Sequence, residues 1–409
     1  MPEDQTSGEK NKSKEITTGL QDSLMETIHL GKDESAYVGE TVDDSVAEST
    51  DQGSVIETLS EHEDGSTEEA GALPRQQIEK GICDKKTGQR FSLIRVLGQG
   101  GGGEVFQVED HHLNRGVALK ILNPTRKNSK KKAQRFIGEA RITARLEHPN
   151  ILPVHDLGKT TDDRLYYTMR QATGPSLRDL IREMQDGDCP AIIEKIDDRV
   201  EISLRICDAI AYAHDKGVIH QDIKPDNIML GSFGEVLMVD WGTAIERQNS
   251  QSVVGQMMGT PAYMSPAQAR RESVDERSDV YCLGATMYQF FTGVLPLHTD
   301  DEQSYFEKKR RGEIDPLPEE ALAELPQYVY QILLKCLAAE PEDRYQSVSL
   351  LQEDLRNWQR NKESLQLSKK AGILLAQVKG RPDHVDYSRV TEQYRQSIEM
   401  WSQNDDAHR

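Results

Sequence analysis

An aspartate at position 222, a lysine two residues later and an asparagine three beyond that lie in the stretch His220-Gln221-Asp222-Ile223-Lys224-Pro225-Asp226-Asn227. Asp, Lys and Asn at that spacing supply a proton acceptor, a cation for a phosphoryl oxygen and an oxygen ligand for a hard metal ion. A charged surface turn carries the same three letters by chance often enough that their meaning depends on what positions them.

Upstream, Phe91-Ser92-Leu93-Ile94-Arg95-Val96-Leu97 alternates as a strand, and Gly98-Gln99-Gly100-Gly101-Gly102-Gly103-Glu104-Val105 turns the chain into a second strand through Val108. Glycines in a G-x-G-x-x-G-x-V spacing let backbone amides approach phosphates with no side chain in the way. A strand follows them rather than a helix, which excludes a dinucleotide-binding βαβ turn. Val117-Ala118-Leu119-Lys120 reads as the next strand, and a basic helix containing Phe136-Ile137-Gly138-Glu139-Ala140-Arg141-Ile142 comes after it. Further on, Ile202, Ile206, Ala209, Ile210 and Ala213 recur at three and four residues, the apolar face of a long helix that stops at Lys216-Gly217 and delivers the chain to His220. Beyond Asn227, Ile228-Met229-Leu230 and Glu235-Val236-Leu237-Met238-Val239 read as a hairpin leading into Asp240-Trp241-Gly242.

In this order and spacing, residues of about 90–360 resemble the bacterial-type, eukaryotic-like serine/threonine protein kinases. The resemblance implies an α+β bilobal fold: a β-rich N-lobe over 90–169 with one helix, a hinge at 170–174, and a mainly helical C-lobe over 175–360. It implies that Asp222 accepts the proton of a Ser or Thr hydroxyl, and that Lys224 and Lys120 stabilise phosphate charge. Glu139 would pair with Lys120 across the cleft, Asn227 and Asp240 would hold Mg²⁺ or Mn²⁺, and Thr260 would contact Asp222 and Lys224. ATP would lie against Leu97, Gly98, Gly100, Gly103, Val105, Ala118 and Lys120. Met169 would act as gatekeeper, the backbone from Arg170 to Ala172 would bond the adenine, and Met229 would form its floor. Gly259-Thr260-Pro261-Ala262-Tyr263-Met264-Ser265-Pro266 looks built to receive a peptide, and Ser250 and Ser252 are the regulatory phosphosites the alignment offers. Proteins bearing Ser or Thr, this chain included, are the implied substrates.

Three positions depart from the family pattern. Gln221 stands where an Arg is usual, and an uncharged amide cannot neutralise a phosphate on the activation segment. Trp241 replaces a Phe, a bulkier apolar packing residue. Ala267 stands where a Glu is usual, so Arg344 lacks its expected carboxylate; either another acid such as Glu272 or Asp275 compensates, or the large lobe is looser. The missing Arg and Glu keep one alternative from another class open, a nucleotide-binding pseudokinase that scaffolds partners through its tails.

The 409 residues suffice for such a domain with extensions on both sides. Five cysteines without C-x-x-C spacing favour neither a disulfide framework nor a zinc site and point to a reducing cytoplasm. No apolar run approaches a membrane span. The formal net charge of −19 argues against nucleic acid, and residues 1–80 account for most of it with 20 acidic and 6 basic side chains. With one Tyr and no Phe or Trp, residues 1–85 are expected to be a disordered acidic extension carrying phosphorylation or docking sites, or folding back on Arg126, Lys127, Lys130, Lys131 and Lys132. Residues 361–409 read as a helical extension, and the segment from Tyr394 to Trp401 resembles the end of a tetratricopeptide-type helix; both extensions are offered as surfaces for partners.

Overall fold

The computed structural model describes residues 82–84, 88–100, 103–123, 129–299, 301–378, 384–402 and 404. Residues 1–81 and 85–87, Gly101, Gly102, Arg126 and Lys127 lie outside the described residues, whereas residues 82–84, expected to belong to the disordered extension, form a strand.

A six-stranded antiparallel sheet forms first, from β1 (Ile82–Asp84), β2 (Gly88–Gly100), β3 (Gly103–Asp110), β4 (Arg115–Ile121), β5 (Val154–Lys159) and β6 (Leu165–Met169), in the order β1-β2-β3-β4-β6-β5. Alternation along the strands separates its two faces. Phe91, Phe106, Val108, Val117, Leu119, Ile121 and Tyr166 form an apolar cluster. The intervening residues face the other way: Gly98 pairs with Val105, Val105 with Lys120, and Lys120 with Tyr167, while two residues along Ala118 pairs with Met169. Register therefore gathers five residues expected at the nucleotide on one face. Leu97 falls at a shift in the β2–β3 register and is exposed. Helix α1 (Ser129–Arg145) lays Phe136 and Ala140 against Tyr167.

The larger, helical part starts with α2 (Leu177–Gln185), capped by a reciprocal Ser176–Asp179 box, and α3 (Ile196–Asp215), whose expected apolar face is buried. Gly217, at φ 71°, ends α3. β7 (Val218–Ile219) pairs with β10 (Ile245–Glu246), and β8 (Ile228–Leu230) with β9 (Val236–Met238). Then come α4 (Pro266–Ala269), α5 (Glu276–Thr292), α6 (Glu302–Arg311), α7 (Glu319–Glu324) and α8 (Gln327–Cys336). Every residue of α5 from Ser278 to Phe291 is buried, so this helix is the central post of the lobe. Helix α9 (Val348–Val378) runs unbroken across residue 360, tied to α3 by Gln352–Asp208 and Lys362–Asp197 contacts. α10 (His384–Met400) folds back along it, and Ser364, Ser368, Ser397 and Asn404 join in a buried hydrogen-bonded cluster between them.

Arg344 corrects an expectation. Neither Glu272 nor Asp275 takes the place of the absent carboxylate: Glu272 pairs with Arg270 and Asp275 with Arg277. The buried guanidinium donates instead to the carbonyls of Ala338, Ala339 and Arg277 at 2.7 to 3.0 Å and lies 5.1 Å from the Tyr281 ring centroid. Burial pushes its pKa down, and carbonyl dipoles with an aromatic face carry the charge where an ion pair was expected.

Candidate active site

Asp279, at the start of α5, is the anchor of the segment 220–227. Its carboxylate accepts from the backbone N–H groups of His220 and Gln221 and contacts His214 Nε2, each at 2.8 Å. Burial pushes that carboxyl up, but the His214 hydrogen bond and interaction, with the hydrogen bond from the His220 backbone, outweigh it and hold it below the usual range. Four successive carbonyls then receive one side chain each. Thr243 Oγ1 donates to His220 O (3.0 Å), Gln268 Nε2 to Gln221 O (2.7 Å), Asn227 Nδ2 to Asp222 O (2.9 Å) and Thr286 Oγ1 to Ile223 O (3.1 Å). A loop with its polar backbone satisfied at this density has little freedom to move. It also sustains the left-handed conformation of Gln221, φ 69°, which a non-glycine residue adopts only under constraint.

The side chains that could do chemistry converge here. Asp222 Oδ1 accepts from Thr260 N and Thr260 Oγ1, both at 2.8 Å, and its Oδ2 lies 3.2 Å from Lys224 Nζ. Lys224 Nζ in turn donates to Thr260 Oγ1 at 2.7 Å. Gly259 permits this closeness: at φ 99°, a Cβ there would meet Gln221 O at 2.7 Å. Across the cleft, Lys120 Nζ lies 2.7 Å from Glu139 Oε1 and 3.7 Å from Asp240 Oδ1. Burial lowers the Lys120 pKa, yet the two carboxylates outweigh it, so the ammonium stays charged. Asp240 has positive φ and a half-exposed side chain; desolvation raises its pKa, and the Lys120 cation, the Gly242 N–H and the further positive charge of Lys224 together more than offset that.

The metal-ligand candidates are adjacent through the backbone, Val239 N donating to Asn227 O at 2.9 Å. With Asn227 Nδ2 engaged on Asp222 O, its amide oxygen is left as the acceptor. Such an oxygen-only pair fits Mg²⁺, which completes its shell with phosphate and water; among the described residues no group of three or more His, Cys, Asp or Glu could hold a metal alone. At the hinge, Arg170 N is taken by Pro153 O, which leaves the carbonyl of Arg170 as its hydrogen-bonding backbone group, and the Arg170 side chain pairs with Glu235. Met229 is half-buried in β8, and Gly103 lies so close to Ile121 that a Cβ would meet its carbonyl at 2.2 Å.

Several residues in this arrangement were not singled out from the sequence. Tyr167, read only as part of a buried strand, donates its hydroxyl to Glu139 Oε1 at 2.7 Å, the oxygen that also meets Lys120. Gln268, Thr286 and Thr243 look like ordinary helix and loop residues until the chain closes. Trp241 is buried with its ring 4.6 Å from that of His220, and burial lowers the His220 pKa, leaving that ring neutral.

The protein kinase domain family matches residues 91–355. Curated relatives include serine/threonine-protein kinase PknD of Chlamydia caviae, 32% identical over 293 residues (65% of this chain and 31% of the relative), and that of Chlamydia trachomatis serovar D, 33% identical over 297 residues (66% and 31%). The chain thus spans about a third of the length of these relatives.

Proposed function

We propose, from the premise that the chain belongs to the protein kinase domain family, that it transfers the γ-phosphoryl group of ATP to Ser and Thr hydroxyls of proteins, itself included. The observation that carries this reading is the Asp222 carboxylate, oriented by Thr260 on one oxygen and by Lys224 on the other. Asp222 orients the acceptor hydroxyl and takes its proton; Lys224 and Lys120 stabilise the charge of the phosphoryl group in flight. Glu139, shared with Tyr167, keeps Lys120 extended into the cleft. When bound at Asn227 and Asp240, Mg²⁺ would neutralise phosphate charge. Catalysis in such a site is positioning and electrostatics, with no covalent enzyme intermediate.

The test is Lys120→Met. It leaves Glu139 buried without its cation, and phosphoryl incorporation into the chain with Mg-ATP should fall on the order of 100-fold or more. Incorporation at the wild-type rate would refute the role. Mg-ATP binding by the unmodified chain without turnover on any protein would select the scaffolding alternative.

We also propose that activity does not depend on a phosphorylated activation segment. Where a guanidinium would await a phosphate, Gln221 Nε2 already donates to Thr243 O at 2.9 Å, so a neutral hydrogen bond holds the start of that segment. Replacing Ser250 and Ser252 together by Ala should change kcat for a protein acceptor by less than about threefold; a loss above tenfold would show that a phosphate is needed. A reducing, cytoplasmic setting and partners for the acidic segment and the C-terminal helices belong to the same proposal. The buried thiols of Cys207, Cys282 and Cys336 favour the setting.

A further inference from the structure

Helix α6 ends in Lys308-Lys309-Arg310-Arg311 before Gly312, a run that ordinarily lies in solvent and favours the helix C-terminus. Lys309 does not: it is fully buried. A long lysine near a surface usually extends its ammonium to water. Here Nζ donates to Ala262 O at 3.1 Å and lies 5.0 Å from the Tyr281 ring centroid. One helical turn earlier on the same face, the buried Tyr305 donates its hydroxyl to Pro261 O at 3.0 Å. Two consecutive carbonyls of the 259–266 segment are therefore tethered to α6, directly after Thr260, the residue bonded to Asp222.

Lys309 meets the Tyr281 ring and lies near Cys282, Arg344 lies against that same Tyr281 ring, and no carboxylate is in ion-pair contact with Lys309 among the described residues. Burial pushes its ammonium pKa down to about 7. An aliphatic residue would fill this site at lower cost, so the amine is explained by what it reaches. Removing it frees Ala262 O, and with it the surface that follows Thr260.

We propose that Lys309, together with Tyr305, is a positioning residue for the protein acceptor, holding Pro261 and Ala262 so that the acceptor hydroxyl is presented to Asp222. This rests on the protein kinase reading given above. It assigns α6 a role in acceptor binding that leaves the nucleotide half of the site untouched.

The test compares the full chain with Lys309→Met and Tyr305→Phe, using dephosphorylated casein as acceptor. Three quantities are followed: transfer to casein, Mg-ATP hydrolysis without acceptor, and thermal unfolding at pH 7.5. The expected result for Lys309→Met is a KM for casein raised about tenfold, with hydrolysis and the KM for ATP within twofold of wild type and a melting temperature unchanged or higher. Tyr305→Phe should raise the casein KM by about threefold. An unchanged casein KM in both variants overturns the inference, as does a parallel loss of transfer and hydrolysis, which would make the lysine structural. If Lys309→Met does not fold, Tyr305→Phe decides by the same criterion. No transfer by the unmodified chain to casein or to itself would overturn the kinase reading and this inference with it, whereas active wild type with indifferent variants removes the inference alone.

Discussion

Asp222→Asn lowers kcat for transfer to a protein acceptor by about 100- to 10,000-fold, the range lost when a positioned general base is removed, while the affinity for Mg-ADP stays within about threefold. The substitution preserves shape, so the effect isolates chemistry. Both carboxylate oxygens face donors: Thr260 N and Oγ1 at Oδ1, Lys224 Nζ at Oδ2. A carboxylate satisfies this arrangement in either orientation. An amide has one acceptor and one donor end, so one face is always set donor against donor, and no basic oxygen remains for the acceptor proton. Single-turnover transfer and calorimetric titration with Mg-ADP separate the two effects. Wild-type transfer by the variant would remove Asp222 from the mechanism.

Asp279→Ala should be the most damaging single change for the fold of the site. It strands the backbone N–H groups of His220 and Gln221 and the His214 ring in a buried place. Removing one member of such a buried charged network costs on the order of 3 to 5 kcal/mol, and the left-handed Gln221 loses its main restraint. At roughly 2 to 4 °C per kcal/mol for a domain of this size, the melting temperature should fall by about 10 °C. The sign of the pH dependence follows from the lowered carboxyl of Asp279. Its contribution is fully present above the unfolded value of 3.8 and disappears as pH falls through the lower folded value, so wild type and variant should converge on acidification through that range. Equilibrium unfolding at pH 7 and across that range measures both; a variant within about 1 kcal/mol of wild type at pH 7 would show that the anchor is dispensable.

Much of the fold and site was legible because the relevant constraints are local. A proton acceptor, a cation and a metal ligand within six residues need only a loop to bring them together, and the alternation of β3 and β4 already puts Val105, Ala118 and Lys120 on one face. The pairing of Lys120 with Glu139 was legible only through the family resemblance, and the structure brings the two to 2.7 Å as the helix buries Phe136 and Ala140 against Tyr167.

What stayed hidden concerns partners far apart in the chain that carry no periodic signal. A glutamine at 221 reads as the loss of a guanidinium, and only closure of the fold shows its amide on Thr243 O. At Arg344 the sequence leaves a compensating acid and a looser lobe both open, yet three carbonyls from 277, 338 and 339 converge on it, because a cation can be solvated by backbone dipoles that no residue letter announces. Lys309 sits within a basic run that any composition argument assigns to water, and packing of α6 against residues 261–262 turns it inward. Sequence alone determined which residues are candidates for the chemistry and in what order they come, since side-chain type and short-range spacing set that. Tertiary structure decided which groups hold them in place, since a backbone carbonyl becomes a partner only once distant segments pack against it.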